Sequence, residues 1–124
     1  MLSMPTKEEM EAIRDFVLLP VMLTIVEKNR QQIERSPYPM RPLYAAATEA
    51  LARRIHEDLV RARKTLKEAG IKIWEEQRSQ YVIYYRFVCR GYQETFAIIR
   101  EVARAEIHMK LKMYIDQMFE PKTD

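Results

Sequence analysis

The chain has 124 residues, 48% of them hydrophobic and 31% charged, which is the size and balance of one folded domain and excludes a disordered segment, whose low hydrophobicity could not offset chain entropy. Only two glycines occur, which argues against a sandwich or barrel, whose hairpins lean on residues with positive φ, and favours a helix-rich class. The 21 basic and 18 acidic residues leave a net charge of +3, which permits an anionic partner without requiring one.

A single cysteine cannot form an internal disulfide, and Met1 to Met10 shows no basic stretch leading into an apolar core, so a cytoplasmic protein without a secretory signal is expected. The longest apolar run, Phe16 to Val26, is interrupted by Pro20 and Thr24. It falls short of the roughly 20 residues that a membrane span needs.

Thr6 followed by Glu9 forms a capping box and predicts a first helix over residues 6–35. Phe16, Leu19, Leu23, Val26, Arg30 and Ile33 recur at spacings of three and four and mark its buried stripe. Val17, Leu18, Val21, Met22 and Ile25 widen that stripe until the middle is apolar nearly all round, which makes this the central helix. Pro20 removes a backbone donor, and because the periodicity resumes beyond it, a kink is expected there rather than an end. Ser36 to Pro42 carries three prolines and reads as a stiff connector, with Pro42 suited to the first turn of the next helix.

Tyr44, Ala47, Leu51, Ile55, Leu59, Ala62, Leu66 and Ala69 predict a second helix over residues 43–69, closed by Gly70 in a left-handed conformation. Its other surface is basic, with Glu49 four residues before Arg53 and Glu57 four before Arg61 in the favourable order for helix pairs. After Gly70 the period changes. Ile71 and Ile73 alternate with Lys72 and Trp74, a polar interval runs from Gln77 to Gln80, and Tyr81 to Cys89 is rich in β-branched and aromatic residues. A hairpin over residues 71–89 follows, with Tyr81, Ile83, Tyr85, Phe87 and Cys89 toward the core and Arg86 away from it. The competing reading is a helix, since Tyr81, Tyr85, Val88 and Tyr92 also match helical spacing and no Asn-Gly or Asp-Gly marks the turn. Gly91 is expected to break the strand. Phe96, Ile99, Ala103, Ile107, Leu111, Tyr114 and Met118 predict a third helix over residues 93–119, ended by Pro121, with Glu106 and Lys110 paired outside the stripe. The expected fold is thus a single, mostly α domain with a small β-hairpin in the order α-α-β-β-α; the alternative is an all-α bundle.

The Leu19-Pro20 break in the first helix, the exit Gly70-Ile71-Lys72-Ile73 from the second, and Cys89-Arg90-Gly91-Tyr92 ahead of an Ala-Glu-Ile helix resemble the YhjD-type proteins, small proteins of spore-forming, low-GC Gram-positive bacteria. The likeness covers most of the chain. It implies a small cytoplasmic protein with no assigned activity and carries no functional residue over.

No catalytic, metal or cofactor residues are expected. His56 is followed by Glu57, but Val60 stands where a helical zinc motif needs its second histidine, and no Glu-x-x-His pair suits a di-iron bundle. His56 and His108 each adjoin a stripe residue and read as boundary positions. Cys89, in an apolar run, reads as an inert thiol. Gly70 and Gly91 stand alone, without a phosphate-cradling motif, and no pair of carboxylates sits in a setting that would split their pKa values. The chain therefore reads as a non-catalytic interaction or oligomerisation module, binding itself or another protein through Trp74, Tyr84, Arg86, Tyr92, Met109 and Met113, residue types enriched in interfaces. The alternative is a regulator-like nucleic-acid-binding protein contacting phosphates through Arg53, Arg61, Lys64 and Arg78, with Arg78 at the tip of a wing. Against it, the second helix has no turn from which a recognition helix could project.

Overall fold

The structure is a computed structural model and describes residues 4–120. Its elements run α1 (Lys7–Glu34), α2 (Arg41–Ala69), β1 (Ile71–Arg78), β2 (Val82–Cys89), β3 (Tyr92–Ile99) and α3 (Arg100–Met118). The helix, helix, strands, helix order matches the sequence expectation and sets aside the all-α bundle. The sheet gains a third strand where the start of a helix was expected.

The capping box forms: the Glu9 N–H donates to Thr6 Oγ1 at 3.2 Å and the Thr6 N–H to Glu9 Oε1 at 2.9 Å. From there α1 runs continuously through Pro20. Its buried face is Ile13, Val17, Leu18, Leu19, Met22 and Val26, while Phe16, Leu23 and Ile33 are only half-buried. The expected stripe is therefore turned and broadened, because α1 packs on α2 along one side and on the sheet and α3 along another. Arg30 leaves the stripe and pairs with Glu27 and Glu34 on its own helix.

In α2 the buried residues Leu51, Ile55, Leu59, Ala62 and Leu66 keep the predicted spacing, whereas Tyr44 stays exposed. Pro42 sits in its first turn, and Gly70 at φ 71° closes it, its N–H donating to the Leu66 and Lys67 carbonyls. This left-handed residue reverses the chain into β1, a conformation that glycine adopts without a Cβ penalty.

The sheet is antiparallel in the order β1-β2-β3. Ser79 closes the β1–β2 loop: its N–H donates to the Val82 carbonyl at 2.8 Å, and the Val82 N–H donates to its hydroxyl at 3.1 Å. The side chain thus supplies the turn that no Asn-Gly or Asp-Gly provides. Tyr81 lies in this loop and is 69% exposed, so it is not the core residue its parity suggested. The β2–β3 link is a two-residue turn with Arg90 at φ 49° and Gly91 at φ 84°, the paired positive φ that suits the twist of a tight hairpin. Gly91 therefore reverses the chain into β3, and the helix expected from Gln93 begins instead at Arg100. Pro121, expected to end that helix, lies outside the described residues.

The inner sheet face presents Ile71, Ile73, Ile83, Tyr85, Phe87 and Cys89 to the helices. Phe87 and Cys89 join Ile13, Ala62 and Leu66 at one end of the core; Ile98, Ala103 and Ile107 join Leu18, Met22 and Ile55 at the other. Glu106 and Lys110, expected to pair with each other, instead tie α3 to α1: Arg14 donates to Glu106, and Lys110 Nζ to Asp15 Oδ1 at 3.1 Å. The Tyr114 hydroxyl donates to Asp58 of α2 at 2.5 Å, and burial, seconded by this hydrogen bond, pushes the phenol pKa well up. Among the described residues no helix is long and apolar enough to cross a membrane.

Candidate functional site

Among the described residues no element packs over the outer sheet face, and it carries half of the predicted interface. Directly opposed residues on neighbouring antiparallel strands point to the same side. Trp74 opposes Arg86, which opposes Thr95; Gln77 opposes Tyr84, which opposes Ala97. Trp74, Tyr84 and Arg86 are therefore together, as strand parity predicts. Arg86 is already engaged, with Nε donating to Glu76 Oε1 at 2.8 Å and Nη1 to Gln93 Oε1 at 3.4 Å. Tyr92 does not belong to this patch. It opposes Cys89 on the inner side, its ring 6.3 Å from that of Phe87 and its hydroxyl donating to Glu94 at 3.0 Å.

Met109 and Met113 lie apart from the sheet patch, on α3. At about 100° per residue, Ala103, Ile107 and Tyr114 form its buried face, and Val102, Met109 and Met113 line up on a different side, 57%, 72% and 46% exposed. Met109 and Met113 share a shallow depression with Lys112 and Asp116, two opposite charges without an ion-pair partner among the described residues. A helix apolar on more than one side has more than one surface to cover.

The four basic residues predicted to meet an anion are not one surface. Arg53, Arg61 and Lys64 are exposed on α2, and two of them have acidic company. Arg53 approaches Glu49 at 4.0 Å, and Arg61 pairs with Asp58 at 3.2 Å, not with the expected Glu57. Arg61 also borders a depression that holds Glu8, Glu11 and Asp15, a poor setting for phosphate. Arg78 is not at a wing tip. A bulge between Glu75 and Gln77 shifts the register so that Arg78 opposes Ile83 on the inner face, where it lines a cleft with Arg100 and Arg104.

Cys89 is fully buried and its pKa is raised, chiefly by that burial, which makes it a poor nucleophile. His56 and His108 are both exposed rather than at a buried border. Among the described residues no group of three or more His, Cys, Asp or Glu could hold a metal ion.

A tight ionic contact stands at the hairpin turn. Arg90 Nη1 and Nη2 donate to Glu9 Oε2 and Oε1, each at 2.9 Å, and Nη2 also reaches the Met4 carbonyl at 3.2 Å. The Arg90 hydrogen bonds and the Thr6 N–H hold the Glu9 pKa down to about 2. A depressed carboxylate stabilises the fold above its unfolded value of about 4.3, and that contribution is lost as pH falls from about 5 toward 2. Glu9→Gln should remove this acid-limb dependence and cost roughly 1 kcal/mol at neutral pH through the weakened cap. Urea titrations between pH 2 and 7 check it; an unchanged slope below pH 5 would count against the pair.

Arg100 and Arg104 escaped the sequence reading because β3 was taken for the start of α3, which left them mid-helix among ordinary surface charges. Two arginines four residues apart at a helix's positive end are unfavourable both to each other and to the dipole, and that is the signal they carry once the true start is known.

A family model described as YhjD protein matches residues 4–119. Among curated proteins, "Uncharacterized protein YhjD" of Bacillus subtilis (strain 168) is 26% identical over 114 residues, which cover 90% of this chain and 95% of that protein. No solved structure matches the chain.

Proposed function

The chain belongs to the YhjD family, and we propose that it is a non-catalytic cytoplasmic module whose partner is a second copy of itself, docked along α3. The observation that carries this reading is the exposed stripe of Val102, Met109 and Met113 beside Lys112 and Asp116, which have no ion-pair partner among the described residues. A twofold contact is self-complementary. With α3 antiparallel to its copy about an axis near Met113, Lys112 of each faces Asp116 of the other, and Met113 packs on its own counterpart. Methionine suits such a seam because its unbranched thioether fits irregular gaps.

The outer sheet face gives weaker support to a contact, since Arg86 is occupied by Glu76 and Gln93. Nucleic-acid binding through α2 has less still: its basic residues are interleaved with acids, and α2 is unbroken over its 29 residues. Solution mass by light scattering, with protein concentration varied, tests the proposal. The expected result is a dimer mass for the native chain and a monomer mass for a folded Met109→Glu/Met113→Glu variant. A native monomer throughout, or a variant dimer, would refute it.

A further inference from the structure

We propose that the cleft between α1, the inner sheet face and the start of α3 binds a free amphipathic anion, an alkyl chain ending in a carboxylate. The cleft has a volume of about 330 Å³, at the small end of the range for small-molecule sites. Val17, Leu18, Val21, Ile83, Ile98 and Ile107 make it apolar, and its charged lining residues are Arg78, Arg100 and Arg104. Among the described residues no carboxylate lines it.

Three local features favour the general rules less than they favour an anion. The bulge in β1 changes strand parity just before Arg78; without it Arg78 would point to the outer face, and re-aiming a side chain is a recognised use of bulges. Arg100 and Arg104 are like charges four residues apart in the first turns of α3, where the dipole favours acids. Among the described residues neither has an ion-pair partner, and Arg78 is balanced only by Glu75 at 2.7 Å. The Arg100 N–H also donates to the Tyr81 carbonyl at 2.9 Å, which fixes the helix start against the β1–β2 loop. Departures from local rules are expected at functional or strained sites, and these converge on one cavity. Val21 and Ile25 of α1 remain 48% and 37% exposed and line this cleft, so an alkyl chain in it would cover them. The carboxylate then meets guanidinium groups suited to bidentate hydrogen bonds.

The test is calorimetric titration of the full chain with dodecanoate below its micellar concentration. Saturable binding at one site per chain is expected. It should weaken roughly tenfold or more in Arg100→Gln/Arg104→Gln, and by a similar factor when dodecanol replaces dodecanoate. Val21→Trp, at an exposed position, should fill the cleft and abolish binding while circular dichroism stays native. No saturable binding, or equal affinity in the arginine variant, overturns the proposal. So does binding of inorganic phosphate as tight as dodecanoate, which would make this a bare anion site. Sedimentation with phosphatidylglycerol vesicles that depends on Arg100 and Arg104 would move the ligand into a bilayer and equally overturn the free-ligand reading.

Discussion

Phe87→Ala should destabilise the protein by about 3–5 kcal/mol, a large part of the 5–15 kcal/mol or so typical of a domain. Phe87 is 1% exposed in the middle strand, its ring 6.0 Å from that of Phe96 and 6.3 Å from that of Tyr92, in a cluster with Ile13, Leu66 and Cys89. Alanine would leave a cavity that these elements cannot close without moving the sheet. Strand parity alone gives Tyr85 the same weight, but its ring stacks on Phe96 at 5.4 Å while also lining the open cleft. Its truncation should cost about half as much, since less area leaves contact with protein. Arg86→Ala loses a partly exposed ion pair with Glu76 and should cost about 1 kcal/mol or less. Chemical denaturation of the three variants ranks them; a tolerant Phe87 would contradict the packing described.

Met22→Ala is the second large effect, about 2–5 kcal/mol. Met22 is 0% exposed and shares a cluster with Ile55 and Leu59 of α2 and Ile107 of α3, so three helices meet around it. Leu23, which the three-and-four spacing ranks as a stripe residue, is only half-buried, and Leu23→Ala should cost clearly less. The order of these two denaturation midpoints separates a helix covered on two sides from one with a single narrow stripe. A larger loss for Leu23→Ala than for Met22→Ala would favour the narrow stripe.

The elements legible in the sequence are those with chemical punctuation. Thr6 and Glu9 start α1, Pro42 falls in the first turn of α2, and Gly70 ends it, each through a backbone group that only certain residues satisfy. β3 carried a mixed signal. Phe96 and Ile99 continue the helical spacing of Ala103 and Ile107, while Glu94 opposes Phe87 on the inner side and breaks the alternation that would reveal a strand. The turn before it was masked as well, because Arg90 takes a positive φ that its residue type seldom adopts. Its pairing with Glu9 is a tertiary contact that spacing cannot disclose. The Trp74, Tyr84 and Arg86 patch was legible through parity. Arg78, expected at a wing tip, was not, since one bulge reverses every side chain beyond it and brings Arg78 to the inner face. The two methionines were legible as interface residue types, and their place on a separate surface from the sheet patch became visible only with α3 in position.

Self-association along α3 is tested most directly by exchanging its charges. Lys112→Asp and Asp116→Lys should each lose the dimer, because each homodimer would set like charges against each other across the twofold axis. An equimolar mixture of the two variants restores an opposite pair at both contacts, so light scattering should return the dimer mass for the mixture while each variant alone stays monomeric. Dimers of either variant alone, or a mixture that remains monomeric, would contradict the antiparallel α3 contact.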